Sequence, residues 1–147
     1  MKMIDFTKEY EEDFYEMCQC FFSSPAVCHS ISPEAMKTTF WSALDNSPFL
    51  RGMILVEQDV VIGYILLSFT YSNEVGGMVV WIEELYLKEE FRGKGYGSQA
   101  LKQIFSEYSP RVKRFRLEVT KENTGARSLY KKLEFTDLPY EQMVIDL

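Results

Sequence analysis

The sequence predicts a mixed α/β fold of the α+β class, in which helices flank a mostly antiparallel twisted sheet. Apolar residues recur at helical spacing before residue 45 and at strand spacing from 51 to 87. A glycine-rich link then joins a strand to a helix, and a further strand–helix–strand order requires one parallel step. The 147 residues, 46% of them hydrophobic, are expected to form one domain, 1–147.

Two amphipathic helices are predicted before the sheet. Thr7 can cap the first helix, which should run to about Phe22. The second helix should begin at Ser32–Pro33, a cap followed by a first-turn proline, and end before Asn46. The apolar stripe of the first helix comprises Phe6, Tyr10, Phe14, Met17 and Phe21. Because these residues are three and four apart, the stripe should pack on the sheet.

Three antiparallel strands are predicted next. Residues 51–57 and 60–71 are rich in Ile, Leu and Val, and they flank Gln58–Asp59, a polar break suited to a hairpin. A second turn at Asn73–Gly77 leads into a third strand, Met78 to Leu87.

The rest of the chain should alternate helix and strand. A helix is predicted from Gly97 to about Tyr108, a strand from Arg114 to Thr120, and a helix from Thr124 to Leu133. Apolar and charged residues alternate in the strand, so its charged members, Glu118 among them, should face outward. A last strand is predicted from Tyr140 to Leu147.

The most informative stretch is Phe91–Leu101, which contains glycines at 93, 95 and 97. Glycine adopts backbone angles that other residues avoid and lets the chain approach a ligand closely. The free N–H groups at the start of the next helix attract negative charge. The loop therefore predicts a pyrophosphate site, although it matches neither the Walker A pattern nor the dinucleotide-binding fingerprint.

The motif Arg92-x-x-Gly95-x-Gly97 resembles the loop with which GNAT-superfamily N-acetyltransferases hold the pyrophosphate of acetyl-coenzyme A. A hydrophobic segment, Glu84–Leu87, precedes it, and Asn123-x-x-Ala126-x-x-x-Tyr130 follows at the offset usual in that family. The order of the predicted elements also matches over nearly the whole chain. The resemblance implies the GNAT fold, with a splayed parallel pair of central strands, and an acyltransferase that uses acetyl-CoA as co-substrate without a metal.

The resemblance also assigns roles to residues. Tyr130 would be the general acid, although a tyrosine on an amphipathic helix is ordinarily a core residue, and Asn123 would both cap its helix and bind the coenzyme. Lys94 would touch a phosphate or be solvated. The implied coenzyme-binding residues are Leu85, Tyr86 and Leu87 through their backbones, and Arg92, Gly93, Lys94, Gly95, Tyr96, Gly97, Ser98, Asn123, Ala126 and Tyr130.

Two adjacent acids, Glu83 and Glu84, are the candidate catalytic bases. Neighbouring residues of a regular strand point to opposite faces, so only one acid is expected to face the acceptor amine, and Glu83 is favoured. The segment Trp81–Leu87 resembles that of diamine and polyamine acetyltransferases. Proton acceptance, contact with the ammonium group of the substrate and a solvated strand face all stay open from sequence.

One position departs from the family pattern. Where the family usually has glycine before Phe135, this chain has Glu134. A glycine there ends the helix in the left-handed conformation, which costs a glutamate about 1 kcal/mol. A reshaped helix end, with a displaced Tyr130, is therefore one expectation.

The formal charge of −6 argues against a nucleic-acid surface and is compatible with a cationic substrate. The expected reaction is direct attack, in a ternary complex, by a primary amine of a small cationic molecule such as a diamine or polyamine. A protein lysine or N-terminal amine, or a non-catalytic acyl-CoA-binding module, are the alternatives. The loop Ser23–Ile31 should help to wall the acceptor site, where His29 would orient the amine or lie in solvent.

Cellular context is inferred from absences. The sequence has no apolar run near the roughly 18 residues that span a bilayer and no basic-apolar leader, which predicts a cytoplasmic protein without membrane partners. Cys18, Cys20 and Cys28, with a single histidine, show no metal-ligand spacing and are expected to be reduced thiols. The family resemblance makes a homodimer the expected assembly.

Overall fold

A computed structural model describes residues 1–146 as one open five-stranded sheet flanked by helices. The strands lie in chain order, and only the last neighbouring pair is parallel, which confirms the predicted mixed sheet. No helix within these residues has the length and apolar composition needed to cross a membrane. The strands are β1 (Lys2–Asp5), β2 (Leu50–Glu57), β3 (Val60–Ser72), β4 (Gly77–Leu87) and β5 (Arg114–Leu117). The α-helices are α1 (Glu11–Phe22), α2 (Pro33–Leu44), α3 (Tyr96–Tyr108) and α4 (Thr124–Lys132).

Local sequence signals act as expected at α2 and at the β2–β3 hairpin. The Ser32 hydroxyl accepts a hydrogen bond of 3.1 Å from the backbone N–H of Ala35 at the start of α2. Gln58 and Asp59 have φ values of 49° and 61°. Two left-handed residues in a two-residue loop match the twist of the flanking strands, so the hairpin closes tightly.

The N-terminal region differs from the prediction. Residues 8–10 form a 3₁₀ turn, α1 begins at Glu11, and the Thr7 hydroxyl bonds to the Glu9 carboxylate at 3.2 Å instead of capping a helix. The short strand β1 was not predicted. It forms because β2 pairs with it and because Arg51 of β2 holds Asp5 at 2.6 Å.

The C-terminal region differs as well. β5 stops at Leu117 and not at Thr120. Residues 140–146 have no regular structure, so the predicted last strand is wrong over that range, and Leu147 lies outside the described residues. Strand propensity needs a partner with which to pair, and this segment leaves apolar side chains such as Met143 94% exposed.

The sheet buries side chains on both faces. On one face α3 places Leu101 and Ile104 against β3 and β4. On the other face α1 and α2 bury an aromatic cluster, in which the Phe14 ring meets the Tyr64 ring edge-on at 5.1 Å between centroids. Cys18 is buried in this cluster and Cys20 is exposed, as expected for residues two apart on a helix. We call these the α3 face and the α1/α2 face.

The end of α4 keeps the geometry that a glycine would give. Glu134 has a left-handed φ of 66°, and its N–H donates to the Lys131 carbonyl at 3.1 Å. The Phe135 N–H donates to the Tyr130 carbonyl at 3.0 Å, and the two rings pack at 5.8 Å. These contacts form a Schellman motif, so the expected reshaping does not occur. The motif fixes Tyr130 at the expense of strain at Glu134.

Replacing that residue with glycine tests the strain. Glu134→Gly should stabilise the protein by about 1 kcal/mol, because glycine adopts the left-handed conformation without a Cβ penalty. The melting temperature, measured by circular dichroism, should rise by about 2–4 °C. Glu141→Gly, in the exposed C-terminal segment, is the control and should leave it unchanged. If the Glu134→Gly variant and the wild type melt at the same temperature, Glu134 is not strained.

Candidate functional site

β4 carries a β-bulge at Glu83. Leu66 of β3 lies opposite Glu84, whereas the next β3 residue lies opposite Ile82, so Glu83 has no partner on β3. The extra residue changes the alternation of the strand. Ile82 and Leu85 consequently both pack on the α3 face although they are three residues apart.

The bulge brings both acids to the α1/α2 face. The Ser68 hydroxyl donates a hydrogen bond to Glu83, and the Tyr64 hydroxyl donates one to Glu84. Ser68 and Tyr64 are an even number of residues apart on β3, so their side chains share a face, and Tyr64 is buried against α1 and α2. The prediction that the two carboxylates point to opposite faces is therefore wrong, because simple alternation fails at a bulge.

The two carboxylates lie in different environments. Glu83 is exposed, whereas Glu84 is half-buried. The pKa of Glu84 is raised to about 7, mainly by burial and to a smaller extent by the charge of Glu83, while the hydrogen bond from Tyr64 lowers it. Glu84 is therefore poised to exchange a proton near neutral pH.

The parallel pair β4–β5 separates beside these acids. Pairing runs from Val79 opposite Arg114 to Ile82 opposite Leu117, where β5 ends, and β4 continues alone on that side to Leu87. The predicted splay is confirmed. An unpaired strand edge can accept hydrogen bonds from an extended ligand as it would from another strand.

A small cleft of about 60 Å³ lies where the strands separate. It brings together five of the predicted site residues from β4 and α4, namely Glu83, Leu85, Asn123, Ala126 and Tyr130. The Asn123 side chain also caps α4 by accepting a hydrogen bond of 3.2 Å from the Ala126 N–H. The remaining lining residues are Phe21, Ala26, Ile82, Glu118 and Val119.

Tyr130 points its half-buried ring into this cleft. Burial raises the pKa of its hydroxyl, so the phenol keeps its proton at neutral pH. A protonated phenol shielded from water can donate to a leaving thiolate. The Tyr130 ring packs against the Phe135 ring, and this contact holds it in the cleft.

Sequence reasoning missed Glu118. It was expected to face outward from a strand, but the strand ends one residue earlier, at Leu117, and Glu118 lines the cleft. Among the described residues, no lysine or arginine lines this cleft, so Glu83 and Glu118 make it acidic. The placement of Glu118 depends on where β5 ends, and the local sequence pattern does not indicate that position.

The loop after α1 contributes one residue to the wall of the cleft. Ala26 lies in its wall, next to Phe21 at the end of α1. His29, in contrast, is exposed and does not line the cleft. The histidine is therefore not one of the residues that the structure brings together in the cleft.

The glycine loop lies at the start of α3. Gly93 and Gly95 have left-handed φ values of 72° and 86°, and a Cβ at either position would meet no atom of residues 1–146 within 4 Å. The space beside both is open, as an anion cradle requires. Gly97 is different, because a Cβ there would lie 3.2 Å from the Leu129 side chain of α4. That glycine permits the close approach of the two helices.

The cations beside the loop have separate contacts. The Arg92 Nε donates to the Leu87 carbonyl at 2.9 Å, and its guanidinium lies 5.5 Å from the Tyr86 ring centroid. Arg92 therefore braces the end of β4. Lys94 is exposed, with its ammonium 5.5 Å from the Phe91 ring centroid, and it adds positive charge to the loop.

A second, open cleft of about 500 Å³ runs along the outer surface of α4. It is strongly basic, in contrast to the acidic cleft, although Asp137 pairs with Arg127 at 3.1 Å. A surface of this charge attracts polyanions. Its lining residues are Lys121, Thr124, Arg127, Ser128, Lys131 and Lys132.

The profile of the family described as "Acetyltransferase (GNAT) family" matches residues 5–135. The chain belongs to this family. It is similar to two proteins named thialysine N-epsilon-acetyltransferase. The one from Sus scrofa is 37% identical over 79 residues, which are 53% of this chain and 46% of that protein, so the match spans about half of its length. The one from Mus musculus is 35% identical over 117 residues, 74% of this chain and 66% of that protein.

Solved structures show the same fold. The crystal structure of a possible acetyltransferase from Clostridium difficile 630 has a TM-score of 0.82 at 16% identity and covers 99% of this chain and 97% of that one. The structure of AAC(6')-Iy, in complex with the bisubstrate analogue CoA-S-monomethyl-acetylneamine, has a TM-score of 0.77 at 17% identity, with 99% and 97% covered. The GNAT fold predicted from the glycine loop is confirmed.

The raised pKa of Glu84 has a consequence for stability. Between about pH 4.5 and 7 the folded protein holds a proton on Glu84 that the unfolded chain has lost, so wild-type stability falls as the pH rises. Glu84→Gln removes this loss and keeps an oxygen that accepts from Tyr64. Its melting temperature, relative to wild type, should therefore increase by roughly 5–10 °C from pH 5 to pH 8.

The matched control is Glu90→Gln, at an exposed glutamate after β4. Its melting temperature relative to wild type should not vary over the same pH interval. A Glu84→Gln variant whose difference from wild type is also independent of pH would contradict the raised pKa.

Proposed function

We propose that this protein transfers the acetyl group of acetyl-CoA to a primary amine of a small cationic molecule. The observation that carries the proposal is the acidic cleft. There β4 supplies a carboxylate, Glu83, and α4 supplies a half-buried phenol, Tyr130, at the point where β4 and β5 separate. A pure coenzyme-binding module would need neither group.

The residues present fit the coenzyme. Open space and left-handed backbone at Gly93 and Gly95 suit a pyrophosphate, and the first N–H groups of α3 have no intrahelical acceptor. The free edge of β4 offers the backbone groups of Leu85–Leu87 to an amide-bearing arm, apart from the Leu87 carbonyl, which accepts from Arg92. The basic surface of α4 adds favourable charge for a phosphate-rich ligand. Bound there, the coenzyme supplies the acetyl thioester.

The chemistry then divides among the residues of the chain. The amine nitrogen bonds to the thioester carbon, the carbon–sulfur bond breaks, and the products are an amide and a free thiol. The proton that leaves the amine goes to Glu83, which lines the cleft, or through water to Glu84 beside it. The proton that the thiolate needs comes from the Tyr130 hydroxyl, whose raised pKa keeps it protonated beforehand.

Two observations favour a small cationic acceptor over a protein substrate. The cleft is only about 60 Å³ and is walled by Phe21 and Ala26, so it admits a slender amine chain and leaves little room for the backbone of a peptide. Glu83 and Glu118 give it negative charge that attracts an ammonium group. The matching relatives are named for acetylation of the side-chain amine of thialysine. Thialysine is a small molecule.

Acetyl-CoA turnover, read as release of free thiol, is the test. The panel should contain diamines, polyamines, thialysine and lysine, aminoglycosides and lysine peptides. The proposal expects turnover with small amines carrying a second cationic group and little with peptides. Peptide turnover alone would overturn the assigned acceptor. Coenzyme binding by calorimetry without turnover across the panel would overturn the enzymatic role.

Gly95→Asp tests the loop. The side chain and its charge would enter the open space where the pyrophosphate should lie, so acetyl-CoA affinity should fall by at least about 100-fold. Isothermal titration calorimetry measures this directly. Gly76→Asp is the matched control, because Gly76 is also left-handed, at 63°, and open, but lies in the β3–β4 turn. Equal affinities for the two variants would contradict the loop assignment.

Tyr130→Phe tests the acid. Removing the hydroxyl should lower kcat about 10- to 100-fold, because the thiolate loses its proton donor. The calorimetric affinity for acetyl-CoA should stay within about twofold, since the ring and its packing on Phe135 remain. Tyr140→Phe, at an exposed tyrosine, is the control. Unchanged kcat in Tyr130→Phe would transfer the acid role to another group or to water.

A further inference from the structure

A buried tyrosine lies directly behind the carboxylate pair. Tyr64 of β3 is fully buried, and its hydroxyl donates a hydrogen bond to Glu84 of β4. Tyr64 lies opposite Tyr86 of β4, so Glu84 is the diagonal neighbour of Tyr64 on the same face of the sheet. The bulge at Glu83 is what turns the Glu84 side chain toward this face.

The ring of Tyr64 has little freedom to move. It stacks on Tyr86 at 5.9 Å and meets Phe14 of α1 edge-on at 5.1 Å. Strands β3 and β4 and helix α1 therefore fix the position of its hydroxyl. A donor held in this way fixes the position of the carboxylate that accepts from it.

Among Glu84, Tyr64 and Cys18, Glu84 is the group that changes charge near neutral pH. Burial raises the pKa of Cys18 to about 12 and the pKa of Tyr64 well above its ordinary value, so both stay protonated. The Glu83 carboxylate is the adjacent charge. The ionisable groups near Glu84 on this side are Tyr64 from β3, Glu83 from β4 and Cys18 from α1. Helix α2 adds the apolar Met36 and Phe40 to the same buried cluster.

We propose that Tyr64 is a positioning residue, which holds the Glu84 carboxylate beside Glu83 and thereby sets the pH range in which the pair accepts the proton of the amine. This role rests on the acetyl transfer proposed above. The Tyr64 hydroxyl stabilises the ionised form of Glu84, because an O–H donor binds a carboxylate more strongly than a neutral acid. It offsets part of the effect of burial, so that about half of the Glu84 side chains are ionised at neutral pH.

Tyr64→Phe tests the role, because it removes one oxygen and leaves the packed ring. Without the donor, the ionised form of Glu84 is less stable, so its pKa rises. The rise of kcat/KM with pH should therefore move to higher pH by about one unit. The titration of the Glu84 carboxyl, followed by carbon-13 NMR, should move by the same amount.

Tyr15→Phe is the matched control. Tyr15 also donates from a half-buried hydroxyl to a glutamate, Glu11, at 2.8 Å, but on α1 away from β4. Its pH profile should coincide with that of the wild type. A second variant, Glu84→Gln, should remove the rise with pH, and adding Tyr64→Phe to it should cause no further change in the profile.

The outcomes separate the two proposals. Suppose that the wild type turns over and that the pH profile of Tyr64→Phe is lower at every pH but not displaced along the pH axis. This result would overturn the positioning role and leave the acetyl transfer intact. A displaced profile for Tyr15→Phe would likewise overturn it, since the effect would then not be specific to Tyr64. A wild-type protein that binds acetyl-CoA but acetylates no amine would overturn the acetyl transfer, and this role with it.

Discussion

The separation of β4 from β5 is the constraint on which the rest of the site depends. The parallel pairing stops at Ile82 and Leu117, and β4 then continues for five residues with one edge free. Backbone groups that would otherwise be paired become available to a ligand. The cleft between α4 and β4, the acidic position of Glu118 and the access to Tyr130 all follow from that gap.

The bulge in β4 keeps both glutamates out of the apolar core on the α3 face. A regular strand would place two consecutive glutamates on opposite faces, one of them in the apolar core against α3. The extra residue at Glu83 puts both on the α1/α2 face, where Ser68 and Tyr64 donate hydrogen bonds to them. Burial of Glu84 costs stability near neutral pH, and the proton transfer proposed above would account for a carboxylate at this position.

Local signals predicted most of the fold and the residues of both motifs. The cap at Ser32, the hairpin at Gln58–Asp59 and the glycine loop each depend on contiguous residues, so sequence alone sufficed. The bulge, the end of β5 and strand β1 depend on partners distant in the chain, and no local pattern encodes that pairing. For the same reason the orientation of Glu84 and the role of Glu118 in the cleft were missed.

The most direct test of the account is to map coenzyme binding onto the backbone. In nitrogen-15 NMR spectra recorded during titration with coenzyme A, the account predicts the largest amide shifts at Leu85–Leu87, Gly93–Ser98 and Asn123–Tyr130. Shifts at those three segments would place the ligand along the free edge of β4 and across the start of α3. Shifts centred on β1 and β2, or none at coenzyme concentrations in the millimolar range, would contradict it.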